Sequence, residues 1–345
     1  MFAAGRDLDS ERPWADRRGP GPVGDGPLSQ RVAVTLGAAA SLSVPAREIQ
    51  DDPICALNIS KTLGWADECE KHHGQCNGSY PWFRSDGAAG PARLIDVGPP
   101  GHPSIKLVST NGRRLKYAAL SYCWGDRHSR LITEDKNVGW MTTAGAPLTR
   151  LSQTIQDAVE VVRSLGMAYL WVDALCIVQG QPDEADWKAE SGKMGFIYAN
   201  AYLTIATTSA ASASQGFLRS SHRSGIPVNF MARKAGPCDG KIYFREHTQI
   251  GGSFYEDVVR SPLLKRAWVK QERVLSRRTV DFSSRQIYWT CRRNRYSEDG
   301  QEDGEGAANE AALLQSLGIS GMSRNMREEM MHGLFFRSWG DLIEE

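Results

Sequence analysis

The chain has 345 residues, 41% of them hydrophobic, and its 41 lysines and arginines nearly balance 40 aspartates and glutamates. That length can build one large core or two smaller ones, and the charge balance supplies neither a field for nucleic acid nor a polybasic run for a membrane surface. No apolar run approaches the roughly 18 residues of a membrane span, the charged opening residues lack a secretory h-region, and the seven scattered cysteines suit a reduced, cytoplasmic protein.

Residues 1–48 are rich in Gly, Pro, Arg and Asp and lack a period, which is the composition of a disordered segment. Val32–Leu42 is the one stretch there able to form a small element. Ile54, Leu57, Ile59, Leu63 and Trp65 then give an imperfect helical stripe, followed by Cys69, His72, His73 and Cys76. After a loop over 77–92, Arg93–Val97 and Ile105–Val108 read as paired strands around Pro99-Pro100-Gly101. Tyr117–Asp126 is a short apolar run ending in polar residues. Leu148, Leu151, Ile155, Ala158, Val162 and Leu165 predict a helix over 147–166, closed by Gly166. Residues 169–178 predict a buried strand. Strand, helix and strand in this order make a βαβ unit, and hence a parallel sheet.

An acidic first turn from Asp183 starts a helix that carries Trp187, Met194, Ile197 and Tyr198 on its stripe. Tyr202–Thr207 is a further strand. Ile226–Phe230 and Lys241–Arg245 are short strands, Arg266–Leu275 is helical, and Arg278–Phe282 with Gln286–Cys291 form a hairpin turning near Ser283-Ser284. An acidic, Gly-rich insertion occupies 296–334, and 335–345 begin a helix at which the chain stops. The expected fold is α/β, with a mainly parallel central sheet, flanking helices and a β-rich C-terminal extension after residue 225.

In open parallel sheets, ligands gather at the carboxyl ends of the strands, so Ser121, Trp124, Asp126 and Asp173 should share one edge. Asp173 interrupts an apolar strand and is costly to bury unpaired; Arg266 or Arg273 is the expected partner. Arg266, Glu272 and Arg273 crowd around Trp268, in a pattern that would either lock a helix to the sheet or build a site. Cys69, His72 or His73, and Cys76 are zinc-ligand types. They do not form a paired CxxC motif, and no fourth ligand is evident beyond Cys55. Zinc is therefore not expected; ordinary thiols at a helix end are. Cys123 and Cys176 read as inert core thiols. No Ser-His-Asp order, P-loop or GxGxxG is present.

The blocks Leu120-Ser121-Tyr122-Cys123-Trp124-Gly125, Trp171-Val172-Asp173-Ala174-Leu175-Cys176-Ile177, and Trp268 with Gln271-Glu272-Arg273 and Leu275-Ser276, in this order, resemble the fungal heterokaryon incompatibility (HET) domain. The resemblance runs over 49–295. It departs from the usual pattern at Ala174, Gly180-Gln181 and Lys270, and it casts the chain as a fragment or short member. It implies a role in nonself recognition and programmed cell death, through self-association or other incompatibility and signalling proteins. The family is in turn distantly similar to Toll/interleukin-1 receptor-like (TIR) domains. Those are flavodoxin-like modules, some of which cleave NAD with a helical glutamate. Glu190, which follows Asp186 and Trp187 on one helix face, is the counterpart, and NAD the implied substrate. Three classes stay open: signalling by association, NAD glycohydrolysis, and an inactive truncated member.

Overall fold

The computed structural model describes residues 31–36, 48–77, 90–125, 131–181, 183–219, 226–231, 239–247, 254–300 and 304–305. In chain order the elements are β1 (Arg31–Leu36), α1 (Ala56–His72), α2 (Gly74–Asn77), β2 (Arg93–Asp96), β3 (Ser104–Ser109), β4 (Tyr117–Ser121) and α3 (Asp135–Thr143). They continue with β5 (Ala146–Pro147), α4 (Gln153–Ser164), β6 (Tyr169–Trp171), α5 (Asp173–Cys176), α6 (Ala185–Ser191), α7 (Met194–Asn200) and β7 (Leu203–Ala206). Last come β8 (Ile226–Met231), β9 (Asp239–His247), α8 (Ala267–Leu275), β10 (Arg278–Phe282), β11 (Ile287–Cys291), β12 (Asn294–Ser297) and β13 (Gly304–Glu305).

Among the described residues the main sheet has ten strands in the order β13-β12-β11-β10-β7-β4-β6-β2-β3-β5. Its centre is parallel: β6 pairs with β4, β4 with β7, and β7 with β10. Counted along the chain, these four strands lie in the spatial order 2-1-3-4. Both flanks are antiparallel, through β2 and β3 on one side and β11 and β12 on the other. The mainly parallel sheet expected from the βαβ pattern is thus corrected to a mixed one. Periodicity identifies strands, but direction depends on connections: short turns return a chain antiparallel, and only the long crossovers keep it parallel.

The central strands are covered on both faces, as a parallel block requires. All five residues of β4 are buried, and Leu120, Leu170, Trp171 and Ile205 are fully so. α4 lies against β6 and buries Ile155, Ala158, Val159 and Val162. It ends at Gly166, whose φ of +68° is a left-handed conformation that glycine adopts without strain. α7 packs against α8 and is tied to β4 by two tyrosines. Tyr117 Oη donates to Ile197 O (2.6 Å), and Tyr198 Oη donates to Leu120 O (3.0 Å).

Three further expectations change. The strand predicted over 169–178 stops at Trp171. Asp173 takes its neighbour's amide, Ala174 N, at 2.7 Å, and the backbone turns into α5. Such local side-chain to backbone bonds compete with a strand ladder. The segment after 225 is not one extension: β9 pairs with β1 on one side and β8 on the other in a separate three-stranded sheet, while β10 supplies the fourth parallel strand of the main one. β1 also lies inside the 1–48 segment read as disordered, and overlaps the Val32–Leu42 stretch expected to form a small element. The helix expected over 335–345 and most of the 296–334 insertion lie outside the described residues. No helix among the described residues is long and apolar enough to cross a membrane.

Candidate functional site at the carboxyl edge of the parallel strands

The chain runs from β4 outward to β6, then returns past β4 to β7, so the direction of winding reverses beside β4. Crevices at such switch points, at the carboxyl ends of the strands, are where open α/β sheets bind ligands. β4 ends here in Ser121, Tyr122, Cys123 and Trp124. Gly125, with φ +67°, closes the run; a Cβ at this position would lie 2.6 Å from that of Ser212. Only glycine lets these two loops approach so closely.

Two carboxyls face one another across this edge. Trp124 Nε1 donates to Asp173 Oδ2 at 2.7 Å, and Ser121 Oγ donates to Glu272 Oε2 at 2.5 Å. Glu272 projects from α8 and Asp173 from the first turn of α5, so three separate chain segments meet. Burial pushes the Glu272 carboxyl up to about 7; the Ser121 and Tyr198 hydroxyls and Arg266 pull it down, while the charge of Asp173 adds to the rise. Burial also raises the Asp173 carboxyl, against the Ala174 amide, the Trp124 indole, Arg266 and Tyr122. The cluster therefore holds two acids and one nearby guanidinium. Near neutral pH Glu272 is poised to gain or lose a proton, the condition for general acid–base work or for stabilising a developing cation.

Arg266 lies at the N-cap of α8, where its charge acts on Asp173, Glu272 and Cys123. The expectation that Arg273 could pair with Asp173 is corrected. Arg273 instead forms a two-pronged pair with the wholly buried Asp281, at 2.6 and 2.9 Å. On α8 consecutive residues point to different sides, so Glu272 reaches the edge and Arg273 turns to β10. Trp187 is half-buried and packs against the core. Asp126 lies outside the described residues.

Glu190 is 2% exposed. Its two carboxylate oxygens accept from Ala92 N (3.0 Å) and from Lys193 Nζ (2.7 Å). Asp186, one turn earlier, pairs with Arg93 and accepts from Val178 N. This acidic face of α6 clasps the start of β2, which runs alongside the carboxyl end of β6. Cys176, pushed up to about 12 by burial, feels both Asp173 and Glu190 and marks the ground between the two groups.

The structure also gathers Cys69, His73 and Cys76 and adds a residue that sequence spacing did not offer, Cys291; all four are buried. His72 faces outward, 3.8 Å from Glu68, and Cys55 is not in the group. Tyr198 was legible only as part of an apolar helical stripe, because its role rests on one hydroxyl. Tyr122 lay inside a recognised block without an assigned part.

A search of family models matches residues 117–272 to the family described as heterokaryon incompatibility protein (HET). Neither the curated proteins nor the solved structures give a significant match. Ser121, Tyr122, Trp124, Asp173, Tyr198, Arg266 and Glu272 all fall inside the matched span. Residues 117–272 are thus similar to the heterokaryon incompatibility family, and the two-carboxyl cluster lies at the switch point within that span.

Proposed function

We propose that the protein serves fungal nonself recognition and programmed cell death, acting in the cytoplasm through association with further copies or with other incompatibility proteins, and that the carboxyl-edge cluster is its working site. The observation that carries this reading is the coincidence of the HET match with the Ser121–Glu272 and Trp124–Asp173 pairs at one switch point. The 2-1-3-4 order of the parallel strands is also the flavodoxin-like order, which favours the kinship with TIR domains.

A second reading rests on the acids themselves. Cleavage of the N-glycosidic bond of NAD leaves positive charge on the ribose as nicotinamide departs, and water then completes ADP-ribose. A carboxylate stabilises that charge at close range in a partly dry site, and an indole can cover a planar ring. Glu272, beside Trp124 and Asp173, has the surroundings for this work. Glu190, the counterpart by resemblance, has both oxygens engaged by Ala92 and Lys193, and would need to exchange one of these partners.

Expression in a fungal host tests both readings. Wild type should kill, and Glu272→Gln, which keeps the shape and removes the charge, should not. NAD consumption by concentrated or artificially clustered protein separates the classes. Loss of NAD that falls ~100-fold in Glu272→Gln supports the enzyme; the same fall in Glu190→Gln alone moves the role to Glu190. Killing without NAD loss supports association. Killing by both variants would remove the cluster from the function.

A further inference from the structure

Cys69 lies in the last turn of α1, His73 caps that helix, Cys76 sits in α2, and Cys291 is the last residue of β11. Their ligand atoms all lie within 4.8 Å of one another. Cys291 Sγ is 3.4 Å from His73 Nδ1. In a tetrahedral site with Zn–S about 2.3 Å and Zn–N about 2.0–2.1 Å, neighbouring ligand atoms stand roughly 3.5–4 Å apart. The cluster already has nearly that size. None of the four residues belongs to the HET-matched span, so the family role does not account for them.

The surroundings match a metal-bound thiolate cluster. Zinc binds thiolate, not thiol. Arg278, only 4% exposed, donates from Nε to Cys69 Sγ at 3.2 Å. Three thiolates and one divalent ion leave a single negative charge, which this guanidinium offsets. Asn294 N donates to Cys291 Sγ at 3.2 Å. The Asn294 side-chain amide stands 3.5 Å from His73 Nε2, and its buried Oδ1 has no partner among the described residues. Turning that amide over gives the oxygen the Nε2–H of His73 and the hydroxyl of Tyr296, now 2.6 Å from Nδ2. A ligating histidine is ordinarily held through its second nitrogen in this way.

We propose that Cys69, His73, Cys76 and Cys291 bind one structural zinc ion, which fastens α1 and α2 to β11 of the main sheet. Four protein ligands close the coordination sphere, so the ion has a structural and not a catalytic place. This departs from the ordinary thiols expected from the sequence, and the reason is Cys291: the fourth ligand comes from a strand remote in the chain.

The test uses the full chain purified without chelator. Elemental analysis should find about one zinc per chain. Replacing zinc with Co(II) should give the visible bands of a tetrahedral site and thiolate charge-transfer absorption. Cys291→Ser should lose most of the zinc, while Cys55→Ser keeps it. A chelator should lower the melting temperature of the wild type. Zinc well below stoichiometry, with no uptake of added Zn(II) or Co(II) by wild-type protein, would overturn the proposal. So would a disulfide joining two of the three cysteines in that protein. The wild-type measurements decide the matter even if Cys291→Ser does not fold.

Discussion

At the carboxyl edge, Asp173 and Glu272 lie near one guanidinium, and both carboxyls are pushed up from their usual range. On the β10–β12 side of the sheet, the buried acids are treated differently. Asp281 receives two bonds from Arg273, and Asp257 accepts from Arg285 Nε (2.5 Å) and Tyr288 Oη (2.7 Å). Glu298 accepts from Gln50 N, Asn58 Nδ2 and Ile287 N and so ties α1 to β11. There each acid has its donors and locks elements together. At the edge, burial outweighs the donors that the two carboxyls have, and that balance keeps a protonation state adjustable near neutral pH. Glu272 and Arg273, neighbours on α8, stand on opposite sides of this divide.

The contrast can be broken at the locked side first. Asp281→Ala strands a guanidinium in the interior and should cost about 3–5 kcal/mol in a denaturant melt. A loss below 1 kcal/mol would mean that the pair is not a lock. Leu175, fully buried in α5 beside the edge, should cost about 2–5 kcal/mol as Leu175→Ala, a packing loss independent of charge. Glu190→Gln weakens two charge-assisted bonds and should cost about 1–3 kcal/mol, if α6 is held to β2 as the geometry has it. An unchanged melt would free Glu190 for another role. Lys71→Ala removes an exposed pair with Asp67 on α1 and should shift stability by less than about 0.5 kcal/mol. A larger loss would show that surface pairs also lock this fold.

Much of this arrangement was legible in residue order. Period and turn residues located β2, β3, β4, β7, β10, β11 and the helices α4 and α8. The edge could be foreseen because apolar runs ending in Ser121 and Asp173 imply strand termini. Three things escaped for physical reasons. Strand direction at the flanks is fixed by pairing partners, which a linear pattern does not contain. β6 looked longer than it is, because a buried helical turn such as Ala174-Leu175-Cys176 is as apolar as a buried strand. The partners of Arg273 and Cys76 escaped for different reasons: Asp281 is near in sequence but lies on the next strand, where only the packing of α8 on β10 brings it to Arg273, and Cys291 is remote, in a hairpin with no Cys-x-x-Cys signature.

The central claim is that Glu272 is kept at the edge for function at the expense of stability. Its folded value of about 7 exceeds the ordinary 4.5, so the folded protein keeps a proton that the unfolded chain releases. Stability from this group is therefore greatest below pH 4.5, falls between 4.5 and 7, and stays low above. Glu272→Gln abolishes that loss while retaining an acceptor for Ser121. The most direct measurement is denaturant stability of wild type and Glu272→Gln at pH 5 and pH 8, paired with killing in the fungal host. The account predicts that the variant is within about 1 kcal/mol of wild type at pH 5, exceeds it at pH 8 by up to ~3 kcal/mol, and does not kill. A variant less stable than wild type at pH 8, or one that kills as well, would contradict it.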